Sequence, residues 1–144
     1  MKGTVSFIPK ARTIEFFDYD LPEVEEGAIL AEVSQTNVCG SEVHMWRGEF
    51  GKRGVMPGHE MVGRVYELGK GVVTDTAGQP LKEGDRIAPV YYETCGKCIN
   101  CRAGNAAACV VLGIRARRSG PHDPPHFHTP FATHYYIQPG QHVY

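Results

Sequence analysis

A chain of 144 residues, 42% of them apolar and with a formal net charge of -1, has the length and composition of one folded domain rather than a disordered segment. The near-neutral balance gives no electrostatic basis for binding nucleic acid, and no apolar run approaches the roughly 20 residues of a membrane span. Met1-Lys2-Gly3-Thr4 leads into no apolar signal segment, and five cysteines, an odd number, favour a reducing, cytoplasmic setting.

In chain order, Thr4–Ile8 and Thr13–Phe17 read as two short strands around Pro9-Lys10, and Ile29–Val33 as a third. Ser41–Arg47 is the one convincing helix, stopped by Gly48. Ser41 has the residue type to cap its N-terminus. Met61–Leu68 is the fourth strand, with Gly63 marking a bulge or a close backbone approach. Asp75–Pro80 reads as a hairpin tip turning near Ala77-Gly78. Arg86–Tyr92 follows the turn Glu83-Gly84-Asp85, a short helical turn runs through Ala106-Ala107-Ala108, and Phe131–Gln138 is the last strand. Short strands separated by Gly and Pro turns make this an all-β, β-rich fold with short helices, a barrel or a sandwich. The stretch Arg115–Pro130, rich in Arg, Pro and His, reads as a long exposed loop. Its His122, His126 and His128 are expected to be solvated rather than gathered on a metal, because Pro124-Pro125 and Pro130 resist a compact cage.

The sharpest local signal is Cys95, Cys98, Cys101 and Cys109, spaced C-x2-C-x2-C-x7-C. Four thiolates this close can wrap one tetrahedral Zn²⁺, and the short gaps keep the closure entropy low. Disulfides are the competing reading, but two-residue gaps suit a metal better than a bridge. Four thiolates leave no open coordination position, so this zinc is expected to be structural. Cys39 stands apart, and Gly58-His59-Glu60 comes twenty residues later. Cys, His and Glu are ligand types of a catalytic zinc. Taken alone, a cysteine such as Cys39 is most often a small buried hydrophobe, and a histidine such as His59 is more often a hydrogen-bonded core or surface group than a ligand.

Four segments in fixed order carry a resemblance. Cys39-Gly40-Ser41-Glu42-Val43-His44 looks like C-G-[ST]-[DE]-x-H; Gly58-His59-Glu60 with Gly63, Gly69 and Val72 follows G-H-E-x2-G-x5-G-x2-V; Gly84-Asp85-Arg86-Ile87 looks like G-D-R-V; and the four-cysteine run has the spacing of a structural-zinc lobe. From about Ile29 onward the chain resembles the catalytic, GroES-like domain of zinc-dependent medium-chain alcohol dehydrogenases. Phe131-Ala132-Thr133-His134-Tyr135 is similar to the family's F-A-E-Y strand, with His134 an unusual substitute.

The resemblance implies a GroES-like, partly open barrel with a structural-zinc lobe. It implies that Cys39 and His59 bind a catalytic zinc, with Glu60 either a direct ligand or a nearby carboxylate that exchanges with water. Ser41 then corresponds to the hydroxyl that hydrogen-bonds the substrate alcohol, and His44 to the residue that relays its proton toward solvent. Zinc would lower the pKa of the alcohol, and hydride would pass to NAD or NADP. The substrate class is a small alcohol or polyol, or the matching carbonyl, and the full-length enzyme would be a homo-oligomer. No G-x-G-x-x-G follows a strand, so residues 1–144 are expected to be an incomplete catalytic domain that lacks the nucleotide-binding domain and is inactive by itself. The competing reading is a non-enzymatic zinc-knuckle binding module that uses Arg115–Arg118 to hold an anionic partner. It leaves Cys39, Ser41, His44, His59 and Glu60 without a purpose.

Overall fold

The computed structural model describes residues 1–50, 54–111 and 120–144. The strands are β1 (Lys2–Phe7), β2 (Glu15–Asp20), β3 (Ile29–Thr36), β4 (Met61–Leu68), β5 (Arg86–Ile87) and β6 (His134–Ile137); the helices are α1 (Gly40–Arg47) and α2 (Ile99–Arg102), with a 3-10 turn at Ala106–Ala108. β1 and β2 form an antiparallel pair, and an antiparallel four-stranded sheet runs β5-β4-β3-β6. The two sheets are stitched together through residues 131–133: the Ser6 N–H donates to the Phe131 carbonyl at 3.0 Å, and the Thr133 N–H to the Thr4 carbonyl at 2.9 Å. The architecture is strand-rich with short helices, as expected, and among the described residues the strands do not close into a barrel.

Side-chain alternation explains how the sheet is covered. Along β3, Ile29 and Ala31 enter one apolar cluster with Met61, Val65, Ile87, Tyr135 and Ile137, while Leu30 enters a second with Val5, Ala28, Met56, Phe127 and Tyr136. The start of β3, Ile29–Ala31, and β6 are therefore buried on both faces, which is why Ile29-Leu30-Ala31 reads as an unbroken apolar run, while the rest of β3 is polar and more open. β4 is covered on one face only. Met61, Gly63 and Val65 point inward and Val62, Arg64 and Tyr66 outward, so a one-residue slip would expose the whole apolar set. β3 carries register shifts after Leu30 and after Val33. At the second of these the partner strand supplies Gly63, where a Cβ would lie 2.4 Å from the Glu32 carbonyl oxygen. That is the close approach expected at this glycine.

Several boundaries differ from the sequence reading. β2 begins two residues later than expected and runs on to Asp20. The stretch Arg86–Tyr92 is a strand only over Arg86–Ile87. Beyond it, Ala88 and Val90 bond Tyr144 and His142, with Pro89 opposite Val143, and Pro89 has no N–H to extend the pairing with β4 past Ile87. The hairpin tip is present, closed by the Thr74–Pro80 bridge and the Asp75 N–H bond to the Gln79 carbonyl at 2.8 Å.

The long exposed loop is a correction. Its residues 115–119, with Arg115–Arg118 among them, lie outside the described residues. Of the rest, Phe127 is fully buried, and His128, Thr129 and Pro130 are buried beside it. The Phe127 ring fills the second core cluster against Val5 and Leu30, and burying a side chain of that size is worth about 1.5–3 kcal/mol. His126 stacks flat on Tyr19 at 3.8 Å, and His122 Nδ1 lies 2.7 Å from the Tyr19 hydroxyl. Among the described residues these histidines do not belong to a metal-ligating group. No helix among them is long and apolar enough to cross a membrane.

Candidate metal centres and active site

The antiparallel pairing of β3 with β4 brings Cys39 and His59 together. Thr36, the last residue of β3, pairs with Met61, the first of β4. The Thr36 hydroxyl and the Asn37 N–H both bond the Glu60 carbonyl, at 2.8 and 3.3 Å. The chain leaving β3 and the chain entering β4 are thus tied side by side. Cys39 Sγ then sits 3.5 Å from His59 Nε2. Two ligands on one tetrahedral zinc, with Zn–S near 2.3 Å and Zn–N near 2.05 Å, would be about 3.6 Å apart.

Cys39 is also the N-cap of α1, a position the sequence reading gave to Ser41. Its Sγ accepts from the Ser41 N–H at 3.3 Å, and its own N–H donates to Glu42 Oε2 at 3.0 Å, completing a capping box. The helix starts at Gly40 because a sulfur here does what a serine hydroxyl ordinarily does. Ser41 lies on the first turn instead, its Oγ 3.0 Å from Cys39 Sγ and 3.3 Å from Glu42 Oε2.

Glu42 is the residue that sequence reasoning missed. It is only 3% exposed. Its Oε1 accepts from His59 Nδ1 at 2.8 Å and from the Gly58 N–H at 3.3 Å. A carboxylate on Nδ1 fixes the ring tautomer and leaves the Nε2 lone pair aimed at Cys39. Burial raises the Glu42 carboxyl, but donation from the Cys39 N–H and the His59 ring outweighs it and holds the group below the usual carboxylate range. The available signal was the three-residue spacing from Cys39 to Glu42, a capping-box interval with an unusual first residue.

The remaining expected site residues are more open. Glu60 Oε1 lies 3.7 Å from His59 Nε2 on a half-exposed side chain. The donor atoms that gather within 4.8 Å of one another are those of Cys39, Glu42 and His59. His44, three residues beyond Ser41 on α1, shares its helix face and is paired through Nδ1 with Glu49. Tyr91 meets the His59 ring edge-on at 5.1 Å. Trp46 is 41% exposed and is not a core residue.

The cysteine run folds into a compact lobe. Cys98 Sγ and Cys101 Sγ are 3.5 Å apart, Cys109 Sγ and Cys95 Sγ 3.6 Å, and Cys95 Sγ and Cys101 Sγ 4.0 Å. Tetrahedral Zn–S bonds near 2.3 Å require sulfur separations of about 3.8 Å, in the middle of this range. All five cysteines of the chain are unbridged. The lobe also turns backbone N–H groups toward sulfur: Cys95 toward Cys109, Cys98 toward Cys95 and Cys101 toward Cys98. Donation from the Cys101 and Val110 N–H groups draws the Cys98 thiol down to about 6, and the Cys95 N–H lowers Cys109. Burial and the neighbouring sulfurs push Cys101 up to about 12. The Asn100 side chain closes the lobe by donating to the Ala108 carbonyl at 2.6 Å.

Residues 25–144 match the alcohol dehydrogenase GroES-like domain family. The chain is 33% identical over 114 residues to an S-(hydroxymethyl)glutathione dehydrogenase of Escherichia coli O6:H1, covering 77% of this chain and 29% of that protein. It is 34% identical over 109 residues to an L-threonine 3-dehydrogenase of Streptomyces avermitilis, covering 72% of this chain and 30% of that one. It therefore spans less than a third of the length of these curated relatives. Among solved structures, an alcohol dehydrogenase from Thermotoga maritima superposes with a TM-score of 0.85 at 27% identity, covering 100% of this chain and 40% of that one. A Sinorhizobium meliloti 1021 chain, assigned as a zinc-binding dehydrogenase and bound to NADP, superposes at 0.71 with 25% identity, covering 100% and 38%.

Proposed function

The chain belongs to the alcohol dehydrogenase GroES-like domain family, and from that premise we propose that it carries the catalytic zinc site of an NAD(P)-linked alcohol or polyol dehydrogenase. The observation that carries the reading is the 3.5 Å approach of Cys39 Sγ to His59 Nε2, with the opposite ring nitrogen locked by Glu42. In this reading Cys39 and His59 hold the catalytic zinc. Glu42 orients His59, and Glu60 is the carboxylate within reach of the same face. Cys95, Cys98, Cys101 and Cys109 hold the second zinc, which is structural because four thiolates close its coordination. The nicotinamide site belongs to a separate nucleotide-binding domain.

Bound at Cys39 and His59, zinc supplies Lewis-acid chemistry that makes an alcohol easier to deprotonate. The chain's own groups handle the proton. Ser41 Oγ sits against Cys39 Sγ, where it can accept the hydrogen of a substrate hydroxyl while passing its own onward. His44 stands one turn along the same helix face, half-exposed, and takes the proton toward solvent. Glu42 keeps its charge and its bond to His59 Nδ1 throughout, so the ligand nitrogen does not rotate away.

The test is NAD(P)-linked oxidation of primary alcohols, secondary alcohols and polyols by the full-length protein, compared with its His59→Ala and Ser41→Ala variants. Turnover should vanish in His59→Ala and fall by about 10²–10⁴-fold in Ser41→Ala, the usual span of a positioned proton-transfer group. Undiminished turnover in His59→Ala would refute the assignment.

A further inference from the structure

The geometry points to Glu49 as a positioning residue that holds the His44 imidazole in a single tautomer, with the proton on Nδ1 and the lone pair on Nε2. The inference rests on His44 being the group that accepts the substrate proton. It deepens that reading by saying which nitrogen is free to do so.

The end of α1 builds this contact. Gly48 adopts φ 80°, a left-handed conformation, and a Cβ there would also meet the Ala11 Cβ at 2.9 Å. The Gly48 N–H donates to the Met45 carbonyl at 2.9 Å and the Glu49 N–H to the His44 carbonyl at 3.0 Å. These are the two bonds of a Schellman motif, with Glu49 as the residue whose backbone folds back on the last turn. Its carboxylate then reaches the ring it has folded toward, and Oε2 meets His44 Nδ1. The Phe50 ring approaches the imidazole edge-on, 6.4 Å between centroids.

The chemistry of the contact is one-directional. An ionised carboxylate only accepts hydrogen bonds, so the nitrogen facing it carries the hydrogen. The neutral ring has one donor and one acceptor, and Nε2 is left as the acceptor. An imidazole with no partner at Nδ1 exchanges between both forms, and only part of the population then presents a bare Nε2. When Nε2 takes a proton, the imidazolium has Glu49 beside it as counter-charge. Stability is not what the contact supplies: the side chains are 53% and 49% exposed, and open ion pairs contribute about 0–1 kcal/mol. What remains is orientation and tautomer, the service a carboxylate performs for a catalytic imidazole in a serine-protease triad.

The experiment is long-range ¹H–¹⁵N correlation NMR on the zinc-loaded chain, at a pH where His44 is neutral. The expected result is one tautomer for His44, Nδ1 protonated and Nε2 bare. Glu49→Leu should convert it to an exchange-averaged mixture, and Glu49→Gln, whose carbonyl oxygen can still accept, should restore the single form. A protonated Nε2 in the unmodified chain overturns the inference without any variant, as does a tautomer unaltered by Glu49→Leu in a chain whose backbone spectrum remains folded. Because the readout involves no turnover, it fails separately from the dehydrogenase assignment, which is judged by the His59→Ala assay.

Discussion

Replacing Glu42 with alanine is the most direct test of how the Cys39–His59 site is organised. The carboxylate accepts from the Cys39 N–H at 3.0 Å, the His59 ring at 2.8 Å, the Gly58 N–H at 3.3 Å and the Ser41 hydroxyl at 3.3 Å. The hydroxyl can turn to another acceptor, but the three N–H groups cannot. A donor left unsatisfied in a buried place costs about 1–3 kcal/mol. The lower figure applies here, because His59 and Cys39 are partly open to water, so about 3 kcal/mol of folding stability should be lost. Metal affinity should fall separately, by about 10–100-fold, as when a carboxylate behind a metal-bound histidine is removed. The two losses are read by different assays. Urea unfolding gives the first, and titration with Co²⁺, followed through thiolate-to-cobalt absorption, gives the second. Glu42→Gln should recover little of either, because its NH₂ would face one of the N–H donors. Unfolding free energy within 0.5 kcal/mol of wild type, about the size of an ordinary surface change, together with unchanged Co²⁺ affinity, would refute the claim that Glu42 orients His59.

Three further outcomes follow from other parts of the structure. Cys101→Ser should lower tightly held zinc by one ion per chain and unfold the lobe around α2 while the β3–β4 pairing persists; a metallochromic dye and amide exchange read the two effects. Gly63→Ala should destabilise the chain by about 1–3 kcal/mol, the usual cost of overpacking, since its Cβ meets the Glu32 carbonyl at 2.4 Å; an unchanged urea midpoint would contradict this. Burial lowers the pKa of His134, and Glu32 opposes the shift only in part. The unfolded chain therefore binds more protons below about pH 6.5, the ordinary histidine value. Stability should be level above that pH and fall as pH drops through the lowered folded value. Urea midpoints at pH 7.5 and 5 should differ less in His134→Gln than in wild type; equal differences would refute the account.

What could be read from the sequence was local. Four cysteines within fifteen residues cannot be far apart in any fold, so the lobe was legible without coordinates. The bounds of β4 were legible because one covered face imposes alternation, and the end of α1 because Gly48 takes a conformation that few other residues accept. Cys39 and His59 are a different case. Their residue types allowed a shared metal or two unrelated core positions, and only the pairing of Thr36 with Met61 decides that they meet. Glu49 was invisible as a partner because its target depends on how α1 ends, and Glu42 showed only a capping-box interval, its bond to His59 depending on the β3–β4 pairing. The stretch Arg115–Pro130 has the composition of a solvated loop, yet Phe127 and the three residues after it are buried in the core beside β1 and β6. Spacing along a chain specifies the neighbours within a turn or a knuckle; which distant residues share a site is specified by strand register and by the apolar area that register buries.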